Sequence, residues 1–348
     1  MGVVLRGNLL FSMKKSVLLG FSGGIDSRSA AQQLSRDGYR VVLLTIDTIA
    51  DAKMVEAAHK AADELGLEWI CYDARESFRR DIIDHFCAEY RSGRTPAPCT
   101  RCNTHIKWRI LEEVANKLSI DHIATGHYFG ITAIRNKYYV TKGADQQKDQ
   151  SYYLWGLSQS TLRRAITPMS EVIKRDVKSN FEDKSESMGI CFLRGSHYAD
   201  FVEEQGSKFE AGDIIDNRGN IVARHNGIVR YTIGQRRGAG IPEGLRVVDI
   251  DAASNTIIVD KNERLDKHRL YIEQCNIVDE AELMHSEDIT VKIRGIGRNP
   301  QLPVKIERTE HGFCITTTDS AWAPAKGQPL VLYRGNLVIG GGIIVGFE

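Results

Sequence analysis

The amino-acid sequence predicts an α/β fold: a parallel-sheet domain in the first part of the chain, then a mostly-β second half whose last part fits a small barrel or sandwich. Apolar runs at 17–21, 41–46, 67–72 and 122–125 have the length of buried strands, and the segments between them carry helical spacing. Strands alternating with helices build a parallel sheet covered on both faces, whose ligand crevice lies at the carboxyl ends of the strands. From about Phe201 the texture changes to short strands divided by turn signals such as Asp216-Asn217-Arg218-Gly219-Asn220 and Tyr333-Arg334-Gly335-Asn336. Short alternating runs at 289–293, 304–306, 313–317 and 330–333 fit a small barrel or sandwich. The divisions are therefore drawn at 1–200, 201–269 and 270–348.

Among the helical segments, Ile106, Ile110, Val114 and Leu118 recur at every fourth position and share one face. No stretch approaches the roughly 18 unbroken apolar residues of a membrane span. Residues 1–13 hold a short apolar cluster at Leu9 and Phe11 without a signal-peptide pattern, and are read as an upstream extension with Met13 as an alternative start. The formal charge is only +1, but basic residues cluster. Arg91, Arg94, Arg101, Lys107 and Arg109 form one run, Arg224, Arg230, Arg236, Arg237 and Arg246 a second, and Lys292, Arg294, Arg298, Lys305 and Arg308 a third. Such runs neutralise phosphates when a large RNA touches several at once, and are otherwise solvated surface.

The strongest local signal is Ser22-Gly23-Gly24-Ile25-Asp26-Ser27, after the first strand and before a helix expected to begin near Ser27. Two glycines permit a tight turn whose backbone approaches an anion, and the following helix offers unsatisfied amides and a positive dipole end. Ser22 and Ser27 are candidate donors to phosphate oxygens, and Asp26 a candidate for holding Mg²⁺. The pattern is neither the Walker loop nor the dinucleotide fingerprint.

Seven cysteines, with no secretory signal, fit a reduced cytosolic setting better than a disulfide framework. In Arg94-Thr95-Pro96-Ala97-Pro98-Cys99-Thr100-Arg101-Cys102-Asn103, prolines restrict the backbone before a Cys-x-x-Cys. A helix expected to start near Asn103 would hold Cys102 at its amino end, where a thiolate is stabilised. Cys191, in Gly189-Ile190-Cys191-Phe192, reads on its own as a buried core cysteine, as do Cys71, Cys87, Cys275 and Cys314. His127 is either a crevice residue or a structural hydrogen-bonding one.

Taken together, the segments 20–27, 93–107, Ala124-Thr125-Gly126-His127-Tyr128, Lys148-Asp149-Gln150-Ser151-Tyr152, Gly189-Ile190-Cys191-Phe192, Tyr231-Thr232-Ile233-Gly234-Gln235-Arg236-Arg237-Gly238 and Gly340-Gly341-Gly342-Ile343 resemble the tRNA-specific 2-thiouridylase family of the PP-loop (adenine nucleotide α-hydrolase-like) ATP pyrophosphatases. The likeness runs collinearly from about Lys14 to Phe347. It implies three domains, a PP-loop catalytic domain, a small mostly-β central domain and a carboxy-terminal β-barrel that grips tRNA, with ATP and Mg²⁺ as cofactors, tRNA as the substrate, a sulfur donor or persulfide relay protein as a partner, and a cytoplasmic location. By the family's pattern Gly20, Phe21, Ser22, Gly23, Gly24, Ile25, Asp26, Ser27, Ile46 and Gly126 line the ATP site. Cys102 corresponds to the nucleophile and Cys191 to the persulfide carrier. Ala97, Pro98 and Cys99 lie where the target base is approached, while Lys148, Asp149 and Gln150 match a tRNA-contacting segment.

The chain departs from that pattern in three places. Cys99 stands where the family often has aspartate, so an acid-base role for a carboxylate does not transfer to it. The Arg-Tyr pair that contacts tRNA is here Arg294-Gly295, which removes an aromatic stacking partner. The interval from Asp47 to Glu64 is also short. Cys99, Cys102 and Cys191 would alternatively ligate an iron-sulfur cluster with one open position; an amidating synthetase would leave the paired cysteines unexplained.

Overall fold

The protein is described from a computed structural model covering residues 15–178, 189–206, 209–238, 240–295 and 297–348; the reading of Met13 as a start lies outside them. Strands β1 (Ser16–Gly20), β2 (Arg40–Asp47), β3 (Glu68–Asp73) and β4 (His122–Thr125) pair in parallel, followed in the chain by the hairpin β5 (Phe129–Ile134) and β6 (Lys137–Lys142) and by the short strand β7 (Ala165–Ile166). The parallel sheet has the order β3-β2-β1-β4-β7. Its middle strand is apolar on both faces because helices cover both: Val17, Leu18 and Leu19 are fully buried. The fifth strand, only two residues long, carries no periodic signal in the sequence.

Helices α1 (Ile25–Arg36) and α2 (Ala52–Leu65) follow β1 and β2. The Asp51 side chain caps α2 by accepting from the Met54 amide, and Gly66 ends it in the left-handed conformation. Alanines 58, 61 and 62 form the buried face of α2 and let the backbone of the glycine turn approach closely. After β3 the chain continues through α3 (Arg75–Phe78), a π-helical turn (Arg79–Ile83) and α4 (Asp84–Arg91). It then forms α5 (Pro98–Cys102), a second π-helical turn (Asn103–Lys107) and α6 (Trp108–Lys117). Ile106, Ile110 and Val114 are buried as the period predicts, whereas Leu118 lies past the last turn and is 43% exposed. Among the described residues no helix is long and apolar enough to cross a membrane.

The rest of the chain is mostly strand, after α7 (Gln159–Arg164), α8 (Lys174–Lys178) and α9 (Tyr198–Glu204). A four-stranded sheet of order β10-β11-β8-β9 contains β8 (Gly212–Ile215), β9 (Ile221–His225), β10 (Arg246–Asp251) and β11 (Thr256–Asp260). The last sheet is built from β12 (Asp266–Ile277), β13 (Ile289–Lys292), β14 (Val304–Arg308), β15 (Gly312–Trp322), β16 (Pro329–Arg334) and β17 (Leu337–Phe347) around Leu270, Ile272, Ile315, Leu332 and Ile344. The hairpin β5-β6 belongs to it: Thr141 pairs with Leu337, so a segment of the first domain in sequence completes the last sheet in space.

Directional hydrogen bonds tie this last sheet to the loop before α5. Gln328 donates to the carbonyls of Thr95 (2.9 Å) and Pro96 (3.1 Å), and the Thr95 amide donates to Lys326 O. Nearby, Tyr152 donates to Pro329 O and Asn276 to Trp155 O. Gln328→Leu removes the donor from two loop carbonyls and is expected to destabilise the chain by about 1–3 kcal/mol; urea unfolding monitored by tryptophan fluorescence measures it.

Candidate active site

β1 runs out at Gly20, and the chain turns sharply. Phe21 is held on the sheet, its amide donating to Leu44 O and its carbonyl accepting from Thr45 Oγ1, both at 2.8 Å. Gly23 takes φ +72°, and a Cβ there would lie 2.8 Å from the Ala58 Cα, so both conformation and space require glycine. Gly24 is the N-cap of α1 without a side-chain cap, so the helix begins two residues earlier than expected, at Ile25. The first amides of α1 consequently have no intrahelical partner. Ser27 Oγ donates to Gly24 O at 2.9 Å and lies 3.4 Å from Ser22 Oγ. This is a cradle of backbone donors and hydroxyls at the positive end of a 12-residue helix, and it fits a phosphate chain. Ile46 lies at the carboxyl end of β2 beside it.

The cradle's second wall comes from the turn after β4. A Cβ on Gly126 would stand 3.0 Å from the Asp26 carbonyl carbon and the Ser27 nitrogen, so the two backbones touch. Asp26 does not point freely toward a cation. Its Oδ1 accepts from Tyr128 Oη (2.7 Å) and from Lys174 Nζ (2.5 Å), and Lys174, at the start of α8, is 5% exposed. Lys174 and Tyr128 are the functional candidates that sequence reasoning missed. A buried lysine in a short, otherwise ordinary helix gives no local pattern, although Tyr128 adjoins the His127 signal. The α8 amide of Lys174 in turn donates to Asp145, at the head of the loop carrying Lys148.

His127 resolves into a crevice residue that is also hydrogen-bonded, with Nδ1 2.8 Å from Thr125 Oγ1. Its ring keeps partial solvent access yet stands deep in the crevice, and burial, aided by the Lys107 ammonium, holds its pKa down to about 3. Lys107 reaches in the other direction too, favouring the thiolates of Cys99 and Cys102. The electrostatic neighbourhood of Cys102 includes Cys191 and Cys99, so the three predicted cysteines share one region, which Lys107 links to His127 in the crevice.

The details correct several expectations. The helix starts at Pro98, with proline in its first turn, so Cys99 occupies its amino end and Cys102 lies at the end of that short helix, 7% exposed. Burial, the largest influence, pushes the Cys102 thiol up to about 11, outweighing any stabilisation from the helix start. Cys99 is exposed, but in a concave surface whose walls still desolvate it and raise its pKa. Cys191 is exposed and not a core residue, because it is Phe192 that inserts, packing 5.1 Å from Phe86 and 5.2 Å from Phe201. Arg194 then reaches the Ile49 carbonyl and Asp51, at the rim of the crevice. Cys71, on edge strand β3, is exposed as well; Cys87 and Cys314 are buried and Cys275 partly so. Among the described residues no group of three or more His, Cys, Asp or Glu side chains is arranged to hold a metal ion, so the cluster reading gains no support.

The expected RNA-contacting residues divide. Asp149 accepts from Gly143, Ser151 and the Ser151 hydroxyl and pairs with Lys292 at 3.6 Å, and Gln150 accepts from the Tyr128 amide. Their side chains therefore join parts of the protein. Arg294 likewise donates to the carbonyls of Trp322 and Ala323. A Cβ on Gly295 would meet the Tyr153 hydroxyl at 2.3 Å, so this position is closed to any larger residue while Tyr153 stays in place. Ala97 lines a cavity of about 320 Å³ behind α5, and Pro98 is buried. Of the basic runs, Arg94, Arg224 and Arg230 are committed to ion pairs, whereas Arg236 and Arg237 make none with another described residue.

A parallel sheet with a glycine-turn phosphate cradle, followed by two β domains, defines an enzyme with a nucleotide-binding HUP domain. Family models agree along the chain: a tRNA methyl transferase HUP domain matches residues 15–195, a tRNA methyl transferase PRC-barrel domain 199–261, and an aminomethyltransferase beta-barrel domain 267–344. Similar relatives include tRNA-specific 2-thiouridylase MnmA 2 of Phocaeicola vulgatus, 36% identical over 94% of this chain and 97% of its own. Two others are tRNA-specific 2-thiouridylases MnmA, from Treponema denticola (38%, covering 95% and 98%) and Clostridioides difficile (34%, covering 95% and 98%). The chain belongs to the tRNA-specific 2-thiouridylase family.

The depressed His127 pKa fixes a pH dependence. The unfolded ring takes up a proton near pH 6.5 and the folded ring only near 3, so between those values the unfolded state holds the extra proton and stability falls as pH falls. The wild type is expected to lose up to about 2 kcal/mol from this group between pH 6.5 and 5. Urea titrations at both pH values should show that loss reduced in His127→Gln.

Proposed function

We propose that this enzyme is an ATP-dependent tRNA-uridine 2-sulfurtransferase that exchanges the C2 oxygen of a wobble uridine for sulfur delivered by cysteine. The family membership supports the reaction class, and the chemistry is supported by the mutual electrostatic influence of Cys99, Cys102 and Cys191, with Lys107 acting both on Cys99 and Cys102 and on His127 of the crevice. ATP, bound with Mg²⁺, would transfer AMP to the C2 oxygen as the bond between its α and β phosphates breaks and pyrophosphate leaves, turning a poor leaving oxygen into a good one. Gly20 to Ser27 would hold its phosphates, with Ile46 and Gly126 closing the site; Asp26, whose Oδ1 is engaged by Tyr128 and Lys174, would offer its other carboxylate oxygen to the cation.

Cys191, exposed at the rim, carries the sulfur as a persulfide loaded by a donor or relay protein. The Cys102 thiolate attacks Cys191 Sγ; a Cys102–Cys191 disulfide forms, the persulfide S–S bond breaks and hydrosulfide leaves. Hydrosulfide adds at C2, the oxygen departs with AMP, and the remaining sulfur proton passes to water. A cytosolic thiol reductant then reopens the disulfide. The uridine reaches the site from an anticodon loop, where unstacking a base is easier than in a duplex. Ala97, Pro98 and Cys99 lie on its approach, and Arg236 and Arg237 are available to RNA phosphates.

Cys102→Ser and Cys191→Ser are each expected to lower tRNA thiolation more than a hundredfold while leaving ATP affinity within about twofold. Mass spectrometry of nucleosides from treated tRNA, with nucleotide binding by calorimetry, tests this. Full thiolation by either variant rules out the persulfide route.

A further inference from the structure

Lys107 is half-buried and forms no ion pair or hydrogen bond with another described residue. Its direction is set by an irregularity in the helix. At about 100° per residue, the five steps from Cys102 would leave Lys107 roughly 140° away, on the side of Thr100 and Thr104 that faces the cavity behind α5. The turn Asn103–Lys107 is instead π-helical, with the Trp108 amide donating to Asn103 O, a bond that brings residues five apart over one another. Lys107 is thereby returned to the face of Cys99 and Cys102, while remaining close enough to His127 to act on its ring.

We propose that Lys107 is a positioning residue for sulfur transfer: its ammonium, turned onto the cysteine face by the π turn, lowers the cost of forming the Cys102 thiolate that attacks. The proposal rests on the reading of Cys102 as nucleophile. Lys107 keeps its own protons; the thiol proton goes to solvent, and the fixed positive charge stabilises the anion left behind. Among the described residues, the groups that act on Cys102 are three. Cys99 from the same helix and Cys191 from the rim oppose its ionisation, and Lys107 is the cation that favours it. Without that cation, burial and the neighbouring thiols act unopposed. The one-residue insertion of the π turn is thus a functional feature of the helix, since a regular helix would aim Lys107 at the wrong side.

The test is the rate of iodoacetamide alkylation of Cys102 in the full-length chain, followed from pH 7 to 11 by peptide mass spectrometry. Lys107→Met and Lys107→Gln are expected to shift the profile upward by about one pH unit, slowing the reaction at pH 8 about tenfold, and Lys107→Arg to restore it within about twofold. Thermal melting shows that each variant is folded. Wild-type profiles in folded Met and Gln variants overturn the proposal. The assay uses neither tRNA nor a sulfur donor, so it separates from the thiolation test: an active Cys102→Ser removes the nucleophile reading and leaves the alkylation profile standing.

Discussion

The site depends on one close approach of two backbones. Because Gly126 has no side chain, the turn after β4 presses against the peptide between Asp26 and Ser27, and every later element of the crevice is referred to that contact. It brings Tyr128 to Asp26 and sets His127 deep in the crevice opposite Lys107. A side chain at Gly126 would push the wall away by the thickness of a methyl group, and backbone cannot yield as a flexible side chain can. The same logic holds at Gly23, where α2 approaches through its alanine face.

A second set of interactions places the three cysteines. Phe192 is sunk among Phe78, Phe86 and Phe201, which fixes the segment bearing Cys191 while leaving the thiol itself at the surface. The loop leading into Cys99 and Cys102 is held from the other side by Gln328 and Lys326 of the carboxy-terminal sheet. The carboxy-terminal domain therefore positions the helix that carries Cys99 and Cys102. Buried Asp149, shared between Ser151 and Lys292, is another such joint, and its burial explains why a residue in a segment expected to touch RNA is turned inward.

Much of the fold is legible in the chain because parallel strands buried on both faces are long apolar runs and glycine turns have few alternatives. The strand at 165–166 is too short to show a period, and the hairpin at 129–142 joins a sheet whose other strands lie more than a hundred residues later. Within the site, Gly23, Gly24 and Ser27 are readable because loop chemistry is local. Lys174 is not, since its importance comes wholly from meeting Asp26 across 148 residues. Cys191 misleads for a related reason: its apolar neighbours describe the burial of Phe192 rather than its own.

The sequence by itself determined the order of elements, the phosphate cradle and the identity of the cysteines, since each depends on residues adjacent in the chain. Only the tertiary structure decided which groups meet: Asp26 with Lys174, Gly295 with Tyr153, and Cys102 within the electrostatic reach of Lys107 and Cys191. Such pairings arise from packing between distant segments, or from one extra residue in a helical turn, and those leave no period in the sequence to read.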